Sequence, residues 1–217
     1  MSGFELTRVS ERALRVRFDD DELEVAVARA RAFAAALERE GLPARGERVL
    51  GAGNVLVLFE HSVRSELADL AQRLHDLASS SNPTAAPGSA PRRIEVDYGG
   101  EAGPDLGEVA ATLGMAPDRV VELHSGAHFS VAFLGFSPGF AYLIGLPREL
   151  ELPRQASPRS RVPAGSVAIA GSFSAIYPSA TPGGWHLLGR TRLQLFDPAA
   201  RPPALLAPGE AIRFVAR

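Results

Sequence analysis

The chain has 217 residues, 46% of them hydrophobic and 22% charged, with a formal net charge of -2; that is enough for one or two soluble domains with real cores, and no apolar run approaches the roughly 18 residues needed to span a bilayer. There is no cysteine and no lysine, all 23 basic residues being arginine, which excludes disulfides, thiolate and Schiff-base chemistry, and the lysine of a P-loop. The charge is uneven, because residues 1–129 hold 14 Arg against 21 acidic residues (-7) and residues 130–217 hold 9 against 4 (+5): the second half suits a small anion or an acidic partner surface, and not nucleic acid, whose binders show a denser basic patch interleaved with aromatics.

In chain order, FELTRV and LRVRF alternate at period two across Ser10-Glu11 and predict a β-hairpin. The N-terminus lacks the apolar core of a signal peptide, so a cytoplasmic location is expected. Asp19, Asp20 and Asp21 are expected to cap a helix from about Glu22 to Glu40 that stops at Gly41. ERVLGAGNVLVLFE predicts two strands around Gly51 to Asn54, and SVRSELADLAQRLHDLAS a second amphipathic helix. Residues 1–80 thus read as a small α+β domain of order ββαββα, and the Ser-, Pro- and Gly-rich residues 81–93 as a linker.

Residues 94–217 read as a second domain. RIEVDY predicts a strand, DLGEVAATLG and PDRVVELH short helices, and HFSVAFLGF a further strand. SVAIAG, AIYP, WHLLGRT and AIRFVA are short strand-like pieces between Gly and Pro, the pattern of a closed barrel or sandwich.

Gly135-Phe136-Ser137-Pro138-Gly139 has the Gly-x-Ser-x-Gly spacing of a hydrolase nucleophile elbow. An elbow needs an N–H donor on the residue after the serine, and Pro138 has none. The stretch therefore reads as a tight loop, and what needs explaining is the crowding of Phe136, Phe140 and Tyr142 beside it.

GFSPGFAYLIGLP, LPRQASPRSRVPAGSVAIAG, IYP, TPGGWHLLGRT and LAPGEAIRF, in this order, resemble the motifs of the KipI / allophanate hydrolase subunit 1 family. Upstream, YGGEAGPDLGEVAATLGM and VVELHSG are similar to it too. The resemblance implies a cyclophilin-like all-β barrel behind the α+β domain. It also implies a homologous partner of the KipA type and, with a third component, a heteromeric ATP-dependent 5-oxoprolinase that opens 5-oxoproline to glutamate. This chain would supply half of a composite site and be inactive alone, with ATP held in the assembled complex. Relatives of other function imply two alternatives: a KipI-like kinase inhibitor, and a component of allophanate or urea carboxylase type.

Arg148, Arg154, Arg159 and Arg161 fall within fourteen residues, between Pro153, Pro158 and Pro163. Guanidinium forks pair with carboxylate or phosphate in two-point geometry, so Arg154 and Arg161 are candidate anion ligands, against the alternative of a solvated basic loop. His124, at the end of a helix, is the third candidate catalytic residue, against a helix-terminal His satisfied by backbone carbonyls. His124 and His128 suit a metal only on a continuous helix, which Ser125-Gly126 is expected to break, so no metal is expected. Phe136, Pro138, Phe140, Phe173, Ser174, Tyr177 and Trp185 are candidate substrate-binding residues, Tyr177 and Trp185 being equally readable as core. Family members usually read Gly-x-Gln-Thr-Gly-Ile-Tyr-Pro where this chain has residues 171–178, so Phe173 replaces an amide with a ring that cannot hydrogen-bond.

Overall fold

The computed structural model describes residues 3–42, 46–62, 66–82 and 90–217, and the chain divides into two compact units, residues 1–88 and 89–217. Most of the expected linker, residues 83–89, lies outside the described residues. The expected linker follows directly on a helix that ends at Ser80, and its last two residues, Arg92 and Arg93, already belong to a strand.

In the first unit β1 (Phe4–Ser10), β2 (Ala13–Phe18), α1 (Leu23–Arg39), β3 (Gly46–Gly51), β4 (Asn54–Phe59) and α2 (Leu67–Ser80) follow the predicted order. The four strands form an antiparallel sheet, β1-β2-β4-β3. Alternation puts Leu14, Val16, Phe18, Val55 and Val57 on the face buried against Phe33, Leu37 and Leu74 of the helices. The aspartate run does not cap α1: Glu22 is the N-cap and makes no side-chain cap bond. Asp20 instead pairs at 3.1 Å with Arg29, which is 4% exposed and packs over the Phe18 ring. A buried guanidinium needs that charge more than the helix end needs a cap.

In the second unit β5 (Arg92–Tyr98), α3 (Leu106–Leu113), α4 (Pro117–Gly126) and β6 (Phe129–Leu134) come where the sequence places them. β7 (Ala141–Ile144), β8 (Arg159–Val162), β9 (Ser166–Ala170), β10 (Phe173–Ile176), β11 (Thr181–Gly183), β12 (His186–Arg190) and β13 (Ala211–Ala216) complete it. Seven strands close a barrel in the order β10-β7-β6-β13-β5-β12-β9, while β8 and β11 pair separately. The all-β description is corrected in one respect: the two helices that the sequence itself predicts, α3 and α4, contribute Val109 and Val120 to the barrel core. Within the barrel, β13 runs parallel to β5.

Strand alternation divides the barrel residues between two hydrophobic clusters. Leu143, Val167, Ile169 and Ile176 belong to the interior with Val96, Val131 and Phe214. Ala168, Ala170, Ala175, Tyr177, Trp185 and Leu187 belong to a second cluster with Phe140 and Val162, packed around by Tyr142 and Phe173.

Candidate functional site

The interior holds one polar chain. His124, in the last turn of α4, is fully buried, its ring stacked on Phe214 with centroids 4.7 Å apart. Its Nδ1 lies 2.7 Å from the Tyr98 hydroxyl and its Nε2 3.0 Å from Ser174 Oγ. Ser174 donates to the Ala168 carbonyl at 3.2 Å, so it receives Nε2–H and leaves Nδ1 to accept from Tyr98. Burial pushes the imidazole pKa down to about 3, because a charge there loses its hydration with no carboxylate in the chain of bonds to replace it. His124 and Ser174 are neutral, satisfied core groups. α4 continues through Ser125 to Gly126 instead of breaking at that pair, while the exposed His128 lies beyond it and contacts Arg213 at 3.3 Å. Among the described residues no group of three or more His, Asp or Glu is placed to hold a metal.

The other cluster opens to solvent as a cleft of about 60 Å³ lined by Phe136, Phe140, Tyr142, Arg154, Tyr177, Gly183, Gly184 and Trp185. Phe140 sits edge-on to Tyr177 at 5.2 Å and to Trp185 at 5.8 Å. The Arg154 guanidinium carbon stands 6.0 Å from the Trp185 ring centroid, a cation–π distance. Burial pushes the Tyr177 hydroxyl up and the Arg154 charge pulls against it. A Cβ on Gly183 would lie 2.3 Å from Tyr177 Oη, so only glycine lets this ring lie in the floor.

The loop between β6 and β7 forms one lip of the cleft. Ser137 N–H donates to the Gly135 carbonyl at 2.7 Å across Phe136, whose φ is 65°. This is a three-residue turn of the strained, positive-φ kind. It displays a phenyl ring 62% exposed, 5.2 Å from Phe140. Ser137 Oγ is buried without a hydrogen-bond partner among the described residues, so it has no base to activate it.

The structure thus brings together Phe136, Phe140, Tyr177, Trp185 and Arg154, and keeps His124 and Ser174 apart from them in the barrel interior. Of the expected wall, Arg154 lines the cleft and His124 lies in the barrel interior. Phe173 lies behind the cleft against Tyr142, centroids 5.7 Å apart, and the exposed Pro138 does not line it. Arg161 is exposed on β8 and makes no hydrogen bond or ion pair among the described residues. Arg159 is committed to Asp105. Sequence reasoning does not single out Tyr142, Gly183 or Gly184 as lining residues; period-two spacing from Phe140 to Tyr142 is the available signal for the tyrosine.

The class of protein is that of a closed seven-stranded barrel with two helices packed into its core cluster and an arginine-flanked aromatic cleft. Residues 4–206 match the family described as "Carboxyltransferase domain, subdomain C and D", and the chain belongs to it. It is 48% identical over 169 residues to the B subunit of 5-oxoprolinase from Escherichia coli O157:H7, covering 78% of this chain and 77% of that protein. With the corresponding 5-oxoprolinase protein of Bacillus subtilis strain 168 it shares 34% identity over 228 residues, 98% of this chain and 92% of that one. The solved structure of TTHA0988 superposes with a TM-score of 0.78 at 36% identity, over 95% of this chain but only 40% of that longer one. The Kluyveromyces lactis urea carboxylase shares the fold, with a TM-score of 0.72 at 18% identity, over 100% of this chain and 22% of that chain.

Proposed function

We propose that this chain is one component of a heteromeric, ATP-dependent 5-oxoprolinase, and that the cleft between Phe136, Arg154 and Trp185 receives the carboxylate end of 5-oxoproline. The observation that carries the reading is the identity to two proteins named as 5-oxoprolinase components of the same type, one of them matched along 98% of this chain. The cleft supports it. The aromatic walls suit a small flat ring, and Arg154, exposed at the rim 6.0 Å from the Trp185 ring centroid, supplies a positive charge where the carboxylate lies.

A cleft of about 60 Å³, open on one side, holds one end of a molecule. The remaining walls come from a homologous KipA-type partner and a third component, which makes the site composite and the single chain inactive. With no lysine in its sequence, this chain does not fit a P-loop type of phosphate site. The nucleotide phosphates are therefore assigned to the other components, and the role of this chain is to bind and orient the substrate carboxylate.

The test is co-expression with the two partner proteins and an assay of ATP hydrolysis that depends on 5-oxoproline. Activity should appear only in the full mixture and fall at least tenfold with Arg154→Ala, as when one charge-assisted contact of about 1.5–3 kcal/mol is lost. Turnover by the isolated chain, or a mixture indifferent to 5-oxoproline, contradicts the proposal.

A further inference from the structure

Resting on the carboxylate-cleft reading, we infer that the half-buried Asp105–Arg159 pair is a positioning device that holds Arg154 over Trp185. Arg154 lies on a strap pinned on both sides. Ahead of it, Gly171 N–H donates to the Leu152 carbonyl at 2.7 Å, and His186 Nε2 lies 2.9 Å from the Pro153 carbonyl. Behind it, Gln155 N–H donates to the Gly184 carbonyl at 2.8 Å. Pro153 and Gln155, on either side of Arg154, are thus bonded to the residues that flank Trp185.

The side chains tie this strap to the barrel. Arg159 uses both ends of its fork: Nη1 donates to Gln155 Oε1 at 2.7 Å and Nη2 pairs with Asp105 Oδ1. The second oxygen, Asp105 Oδ2, accepts from Leu187 N–H at 2.7 Å, two residues from Trp185. One carboxylate, 4% exposed, therefore fixes the strap through Arg159 and, through the backbone of Leu187, strand β12 that begins just after Trp185. Of the four arginines in the segment, Arg159 is the pin, and Arg154, which lines the cleft and has no ion-pair partner among the described residues, is the cation that the pin aims.

This placement matters because an arginine that samples many rotamers loses much of its attraction for an anion to conformational entropy, and a held one does not. The planar fork reaches two acceptors at once, which an ammonium does not reproduce. Asp105 and Arg159 need not touch the substrate, and their effect on it should pass through Arg154.

The chain's single tryptophan, Trp185, gives the readout. The full-length chain is titrated with 5-oxoproline and Trp185 fluorescence is followed. Arg154→Ala should weaken binding about tenfold. The double variant Asp105→Asn with Arg159→Gln removes both charges, leaving neither unpaired, and should weaken binding by a similar factor. Adding Arg154→Ala to it should cost no more than a further twofold, since coupled residues are non-additive.

A double variant that binds like the wild type, while Arg154→Ala alone weakens binding, overturns the inference and leaves the cleft reading standing. Independent, multiplying effects of the two changes overturn it as well. A wild-type chain without a saturable response, or Arg154→Ala without effect, removes the cleft reading and the inference with it. If the double variant does not melt cooperatively, Arg159→Lys decides. It keeps the charge beside Asp105 and loses the second contact, so it should weaken binding severalfold, and wild-type affinity would refute the positioning role.

Discussion

β10 carries opposite kinds of polar chemistry on its two faces. Inward, Ser174 completes a chain of hydrogen bonds through His124 to Tyr98, with every ring nitrogen partnered and the imidazole held neutral. Outward, Tyr177, just past the strand end, lies in the floor of a half-open cleft, with Arg154 beside it and the strained Phe136 at its lip. The difference teaches where to look for function. A buried polar network that satisfies itself rigidifies a core, whereas a cation over aromatics with no ion-pair partner among the described residues, beside a turn that costs energy to hold, has capacity left for a ligand.

The largest expected effect tests the claim that the inner face is structural. Unfolded, His124 takes up a proton near its ordinary pKa of 6.5, while in the fold it does so only at about 3. Its contribution is thus fully present above pH 6.5 and is lost as pH falls from there toward 3, by about 4–5 kcal/mol across the window. Denaturant unfolding from pH 7 to pH 4 should show about 3 kcal/mol of this fall in the wild type and a flatter curve in His124→Gln. Parallel curves would break the assignment.

Ser174→Ala should cost about 1–3 kcal/mol, since it leaves Nε2–H buried without an acceptor. Thermal melting reads that loss, and affinity for 5-oxoproline should stay within about twofold of wild type, because the side chain faces away from the cleft. Weakened binding without lost stability would move Ser174 to the other face.

The smallest effect belongs to the lip. Phe136→Gly relieves a positive φ at the expense of chain entropy, two terms of about 1 kcal/mol each that nearly cancel. The melting midpoint should stay constant or rise slightly while ligand affinity drops. A large destabilisation would mean that the ring is a core element after all.

Most of the elements and the aromatic crowding are legible in the sequence, but not which side chains meet. β7 is hard to read because FAYLIGLP, too short for a packed helix, yields only a four-residue strand closed off by glycine and proline. β8 and β11 escape because Pro, Arg and Gly argue against a strand, and such residues are tolerated on a separate two-stranded pair. Four arginines within fourteen residues look alike in one dimension. What separates Arg159 from Arg154 is an aspartate 54 residues away, which no local pattern reveals. His124 and Ser174 are similarly 50 residues apart. Strand parity, however, is readable: alternation puts Ser174 on the face opposite Phe173, although the sequence pattern alone groups both in one binding set.

The central claim is that function lies on the outer face of these strands. It is tested most directly by comparing kcat/KM for 5-oxoproline in the assembled complex between Arg154→Ala and Ser174→Ala, each corrected for the fraction folded. The account predicts a loss of about tenfold or more for Arg154→Ala and a value within about twofold of wild type for Ser174→Ala. The reverse ranking, with Ser174→Ala inactive and Arg154→Ala unaffected, would contradict it.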